Sequence, residues 1–418
     1  MARRLTVERT DYPPHIRMID AAIGLADRCG AGICDLDLDD ILAAAKRKTG
    51  LEDFGDPAFL EPARMVVDNA NNLGFTHLAR AAIRGTYVKA AVNRLLMADA
   101  QRRDPSLREV KVQRPIFVLG FPRSGTTLLQ NLLAQVPSRR GLQFWELITP
   151  FPVHADRAVD QRRRVRSADL TLRAAYLIAP EMGDVHYVSA TTFEECWYLF
   201  CNTFSVLNWD LMTGLDAYGR WLLQQDMSGA YREYRSWLQV LLQQRPADHL
   251  LLKCPEHLWF VDDLLKVFPD ACIVWTHRDP VASIASYCSL MTLPRRMMYG
   301  HADPMEIGER VTRRFEEAVT RAMGALDRAD PSRFFHVDFR RLVADPTSVV
   351  HDIVRYFDLD DPPDHDARLQ AYLGSKRQDE QGKHVYSATR YGIDADAVHD
   401  RYRAYIDRFE ISTKKDHG

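Results

Sequence analysis

The stretch best equipped for chemistry is Gly120-Phe121-Pro122-Arg123-Ser124-Gly125-Thr126-Thr127. Gly120 and Gly125 hold the glycine positions of the phosphate-binding pattern G-x-x-x-x-G-K-[ST], but Thr126 stands where the lysine belongs. The apolar run Ile116 to Leu119 before it reads as a buried strand, and Leu128, Leu129, Leu132 and Leu133 after it recur at helical spacing. A strand, a tight loop and a helix in that order bring the backbone N–H groups of Ser124, Gly125, Thr126 and Thr127 together at a helix N-terminus. Unpaired donors and the helix dipole favour a phosphate there. The absent lysine argues against a nucleoside triphosphate as group donor, because that residue reaches the β- and γ-phosphates while the next hydroxyl holds Mg²⁺. Arg123, a planar fork of donors suited to a tetrahedral oxyanion, lies inside the loop instead.

A second anion site is written further on. Ala271 to His277 reads as a strand running into Arg278-Asp279-Pro280, with Ser286 eight residues after Arg278. Arg278 leaves the carboxyl end of that strand, Pro280 suits a first helical turn, and Ser286 lies about two turns along the same helix. Two phosphate sites side by side are expected.

GFPRSGTT resembles the 5′-phosphosulfate loop of sulfotransferases that use 3′-phosphoadenosine 5′-phosphosulfate (PAPS), particularly the bacterial branch related to tyrosylprotein sulfotransferases. Arg278 and Ser286 match the spacing of the family's pair that grips the 3′-phosphate. The resemblance implies that Gly120, Arg123, Ser124, Gly125, Thr126, Thr127, Arg278 and Ser286 bind PAPS as co-substrate, with 3′-phosphoadenosine 5′-phosphate (PAP) as product and no metal. It also puts Phe339 against adenine, and Lys383, with His384 and Tyr386 in GKHVYSATRYGID, near the nucleotide or acceptor. TGLEDFGDPAFLEP at 49–62 resembles the helical lead-in of the bacterial branch and is read as a packing element. Lys253-Cys254-Pro255 resembles the family's Lys-Ser/Thr-Pro turn, with Cys254 in place of the hydroxyl.

The implied reaction moves a sulfuryl group from PAPS to an acceptor hydroxyl by in-line attack. Arg123 and Lys253 would stabilise charge on the group in transfer, and a base would take the acceptor proton. Glu146, in GLQFWELITP, ranks first as that base, His186 second and His257 third; Glu194 and Glu195 are read as acceptor or structural contacts. The rival readings are a small-molecule kinase with a variant P-loop and a catalytically silent nucleotide-binding protein.

Elements that position these residues alternate after residue 115. Strands at Ile116–Leu119, His249–Lys253, Ala271–His277 and Arg333–Phe339 are each followed by a helical pattern, which predicts a P-loop-like parallel α/β sheet flanked by helices. Residues 1–110 read as a helical N-terminal region and 111–418 as the sulfotransferase domain, with an acceptor-binding helical insert at about 142–245. Sixteen aromatics fall between residues 142 and 240, which suits an apolar acceptor pocket; Met291, Met297 and Met298 are read as a lid over it. The acceptor is therefore expected to be a hydrophobic small molecule or lipid alcohol. Arg162 to Arg164 and Arg166 are read as a solvated helix face.

A chain of 418 residues with 46% hydrophobic content buries a large core. Net charge of −2 gives no global attraction to nucleic acid, so the nucleotide must be held locally. The odd set of seven cysteines has no metal-ligand spacing and fits a reducing cytoplasm. The charged N-terminus MARRLTVERTDYPP lacks an apolar signal core, and no stretch is apolar enough to span a bilayer, which leaves a peripheral membrane contact open. The residue pattern does not set the oligomeric state.

Overall fold

A computed structural model describes residues 11–378 and 387–413. At its centre is a parallel sheet of five strands in the order β2-β3-β1-β4-β5, where β1 is Ile116–Gly120, β2 Arg139–Gly141, β3 His249–Lys253, β4 Cys272–His277 and β5 Phe334–Asp338. Central β1 is buried throughout its length. It pairs β3 from Ile116 with Leu251 to Val118 with Lys253, and β4 from Ile116 with Cys272 to Gly120 with Thr276. Strands covered on both faces need continuous apolar runs rather than alternation, which is how IFVL, LLL and CIVW read. The register brings the carboxyl ends of β3, β1 and β4 to one edge, where open α/β sheets bind ligands.

Phe117 and Leu119 face a large core that also takes in Ile41, Val66 and Tyr87 from the N-terminal helices, together with Trp237 and Trp275. Ile116 and Val118 face the opposite core, with Leu129, Leu133, Val350 and Ile353 from helices on that side. The N-terminal helices, including Leu60–Asn71 and His77–Arg103, thus cover one face of the sheet.

Two features differ from the sequence expectation. β2 carries no apolar run; its arginines are buried because Arg139 Nε donates to Leu133 O and Arg140 Nη1 to Leu241 O, each at 2.9 Å. Phe339 does not end a strand. Asp338 accepts N–H bonds from Arg340 and Arg341 at 2.7 and 3.0 Å, and this cap starts the helix Phe339–Ala344 at Phe339 itself.

Candidate functional site

The loop between β1 and the helix Thr126–Leu133 is shaped by two glycines. Gly120 has φ 143°, and a Cβ there would lie 2.1 Å from Thr276 Oγ1 and 2.7 Å from the Thr276 carbonyl oxygen. Gly125 has φ 85°, and its Cβ would meet Leu342 at 2.8 Å and Phe339 at 3.3 Å. Neither position has room for a side chain. Ser124 is spent on the loop: its N–H donates to Phe121 O at 3.2 Å, and its buried hydroxyl lies 2.5 Å from the same oxygen and 2.6 Å from Thr276 Oγ1. Of the expected cradle only the Ser124 N–H is taken by a backbone carbonyl outside the helix, and the first-turn N–H groups of Thr126 and Thr127 have no intrahelical acceptor.

The residues of the two predicted anion sites touch one another. Arg123, held at φ 69°, donates from Nε to Ser286 Oγ at 3.3 Å. Arg278 Nη1 donates to Arg123 O at 2.5 Å, and its guanidinium lies 4.1 Å from the centroid of the Phe339 ring. Arg278 Nε is buried without a hydrogen-bond partner. Asp279 caps the helix Pro280–Tyr299 through the Val281 N–H at 3.0 Å, which sets Ser286 on the helix beside the loop. Lys383, His384 and Tyr386 lie outside the described residues.

Beside β1, Lys253 ends β3 with 1% of its surface exposed and donates to Glu195 Oε1 at 3.0 Å. Burial alone would lower its pKa, but the charges of Glu195 and Glu194 more than reverse this and hold the ammonium above its ordinary value. His186 Nε2 stands 3.6 Å from the buried carboxylate of Glu194. Burial would raise Glu194; His186, and Lys253 behind it, outweigh that and keep it below the usual carboxylate range. Cys254, where the family has a hydroxyl, is fully buried and belongs to the large apolar core.

The other two base candidates sit elsewhere. Glu146 is the third residue of the short helix Phe144–Ile148: one carboxylate oxygen pairs with buried Arg140, and the other accepts the Gln143 N–H at 3.0 Å. That arrangement closes a capping box around a buried ion pair and leaves the carboxylate committed to structure. His257 is equally committed, with Nδ1 2.8 Å from Tyr231 OH and Nε2 3.2 Å from Cys196 Sγ, beneath the ring of Phe117.

An apolar cavity of about 290 Å³ has Trp197 and Tyr198 in its wall. Its wall includes Phe144, Trp209, Met212 and Met298, and the helix His77–Arg103 contributes Ile83 and Tyr87. Met298 alone of the expected methionine lid lines it; Met291 is buried in the core of the same continuous helix. The share taken by the N-terminal helix had no signal in the sequence, since periodicity shows that a face is buried but not what it meets.

Loop, arginine pair and lysine gather at the carboxyl ends of three adjacent parallel strands, and the sulfotransferase family model matches residues 115–363. The chain belongs to that family. Sulfotransferase STF9 from Mycobacterium avium superposes with a TM-score of 0.80 at 29% identity, covering 90% of this chain and 98% of that one. For sulfotransferase STF1 from Mycobacterium tuberculosis the values are 0.76, 28%, 88% and 98%. The omega-hydroxy-beta-dihydromenaquinone-9 sulfotransferase Stf3 of Mycobacterium bovis is 23% identical over 311 residues, 71% of this chain and 74% of that protein.

Proposed function

We propose that this sulfotransferase takes its sulfuryl group from PAPS and passes it to the hydroxyl of a hydrophobic small molecule or lipid. The observation that carries the reading is the contact chain Ser286, Arg123, Arg278, Phe339 around a glycine loop, with an orphaned Arg278 Nε at its centre. Those groups fit a nucleotide with two separate phosphates. Arg278 and Ser286 would hold the 3′-phosphate, the backbone from Gly120 to Thr127 with Arg123 the 5′-phosphosulfate, and the face of Phe339 away from Arg278 the adenine. PAPS supplies an activated sulfuryl group whose leaving group is a phosphate.

On the acceptor side, residues 142–245 and the helix His77–Arg103 together form the cavity, and we assign the acceptor's apolar body to it. The acceptor named for the Mycobacterium bovis relative, a hydroxylated dihydromenaquinone, supports a lipid alcohol. His186, oriented by Glu194, takes the hydroxyl proton in this reading, in place of Glu146, whose oxygens are both engaged. Lys253, parked on Glu195 at rest, turns its ammonium to the sulfuryl oxygens as charge develops there.

The test is thermal stabilisation by PAP compared with ATP and Mg²⁺. PAP is expected to raise Tm strongly without metal and ATP far less, because ligand binding stabilises in proportion to the logarithm of ligand excess over Kd. Equal stabilisation by both, or a Mg²⁺ requirement for PAP, would favour the kinase reading instead.

A further inference from the structure

The helix Arg157–Ile178 runs along the outside of the acceptor region with two opposed faces. Its inner face packs Val165, Ala168, Leu172 and Tyr176 against Phe144 and Trp145. Its outer face is a single stripe at alternating spacings of three and four: Arg163, Arg166, Leu170, Arg173, Leu177, all exposed. Leu170 and Leu177 are each 59% exposed.

Charge on this helix is lopsided. Arg162, Arg163, Arg166 and Arg173 form no ion pair with any described carboxylate, whereas Asp160 is buried and paired with Arg164 at 3.1 Å. Asp169, at the edge of the stripe, is the one other acidic residue in the helix. Leucines between long arginine side chains that can lift their guanidinium groups into a headgroup layer are the chemistry of a helix lying in a membrane interface. The same helix reaches the cavity, because its Thr171 is part of the cavity lining.

We propose that the outer face of Arg157–Ile178 docks this enzyme on an anionic lipid bilayer, so that a lipid alcohol passes from the membrane into the cavity without crossing water. Leu170 and Leu177 enter the acyl boundary, and Arg163, Arg166 and Arg173 hold lipid phosphates. Arg163 and Arg166, which sequence alone marks as part of a solvated face, thus acquire a partner, whereas Arg164 of the same run is buried on Asp160. The proposal rests on the cavity being the acceptor site.

The test is flotation of the full chain with phosphatidylcholine vesicles, pure or equimolar with phosphatidylglycerol, in the absence of nucleotide and acceptor. Wild type is expected to float with the anionic vesicles, less so at high salt, and to stay behind with the neutral ones. The triple change Arg163→Gln, Arg166→Gln, Arg173→Gln should weaken partitioning by about fivefold per arginine, roughly a hundredfold in all. Leu170→Ser with Leu177→Ser should abolish flotation, and both variants should keep the PAP-induced rise in Tm, which shows that they are folded. Failure of wild type to float, equal flotation with neutral vesicles, or equal flotation of the variants overturns the proposal. So does a wild-type dimer in sedimentation that the leucine changes turn into monomer, since the stripe would then bind a second copy. Vesicle binding without a PAP-selective shift would sink the PAPS reading and leave the docking face standing.

Discussion

Replacing Glu146 by glutamine separates two roles for that carboxylate. Glu146 and Arg140 are buried together, with side chains 4% and 2% exposed, and the second carboxylate oxygen holds the Gln143 N–H at 3.0 Å. The amide keeps an acceptor but loses the charge, leaving Arg140 buried with the carbonyl oxygens of Leu241 and Arg245 as its partners. Orphaning one member of a buried ion pair costs about 3–5 kcal/mol, and the retained acceptor offsets part of it, so roughly 2–3 kcal/mol of stability should go. In a chain of this size that corresponds to a drop in Tm on the order of a few degrees. The kcat of the folded fraction should stay within about threefold of wild type, whereas loss of a general base costs about 10²–10⁴. His186→Gln is the matched control: Tm nearly unchanged, PAP affinity intact, kcat lower by about 10²–10⁴. Both would be measured by thermal melts and by steady-state transfer from labelled PAPS to a panel of hydrophobic alcohols, with the active fraction counted by PAP titration. Unchanged Tm in Glu146→Gln together with a hundredfold lower kcat would refute the argument and restore Glu146 as the base.

Lys253→Ala should leave PAP affinity nearly intact and lower kcat by about 10²–10³, because its proposed contact is with sulfuryl oxygens that PAP lacks; near wild-type turnover would remove Lys253 from the chemistry. Arg278→Ala should erase the preference for PAP over adenosine 5′-phosphate, a loss on the order of ten- to a hundredfold by calorimetry, and an unchanged preference would take the 3′-phosphate away from this residue. Burial raises Glu256 from 4.5 to about 8, although its oxygens accept the Leu207 and Asn208 N–H groups at 2.7 and 3.2 Å. The folded protein then keeps a proton that the unfolded chain releases, so stability should fall as pH rises from about 4.5 to about 8. Urea melts across that range should show the slope, and Glu256→Gln should flatten it; a slope that survives the substitution must come from another group.

Gly120, Gly125, Arg123, Arg278 and Ser286 were legible in the chain because each belongs to a local unit. A strand, a turn with positive φ and a helix start are written in consecutive residues, and Arg278 and Ser286 share one such unit. The apolar runs of β1, β3 and β4 were legible for the same reason, since strands covered on both faces must be continuously hydrophobic. β2 was not, because its burial depends on carbonyl oxygens of Leu133 and Leu241 that the fold brings to Arg139 and Arg140. Which base candidate has its polar atoms engaged was likewise set outside the local sequence. Glu146 has the expected distance from the loop and aromatic neighbours, but whether a carboxylate is poised for a substrate or spent on a guanidinium depends on which side chain lies opposite, here Arg140. His257 and His186 look alike in the chain; Tyr231 and Cys196 close around the first, and Glu194 stands beside the second. Local order determined that this chain builds a glycine loop beside a second arginine. Only the packing of distant segments decided that Arg123 touches Ser286, that Lys253 rests on Glu195, and that a helix from the N-terminal region walls the apolar cavity, because contacts across long separations depend on how whole faces of helices and strands stack.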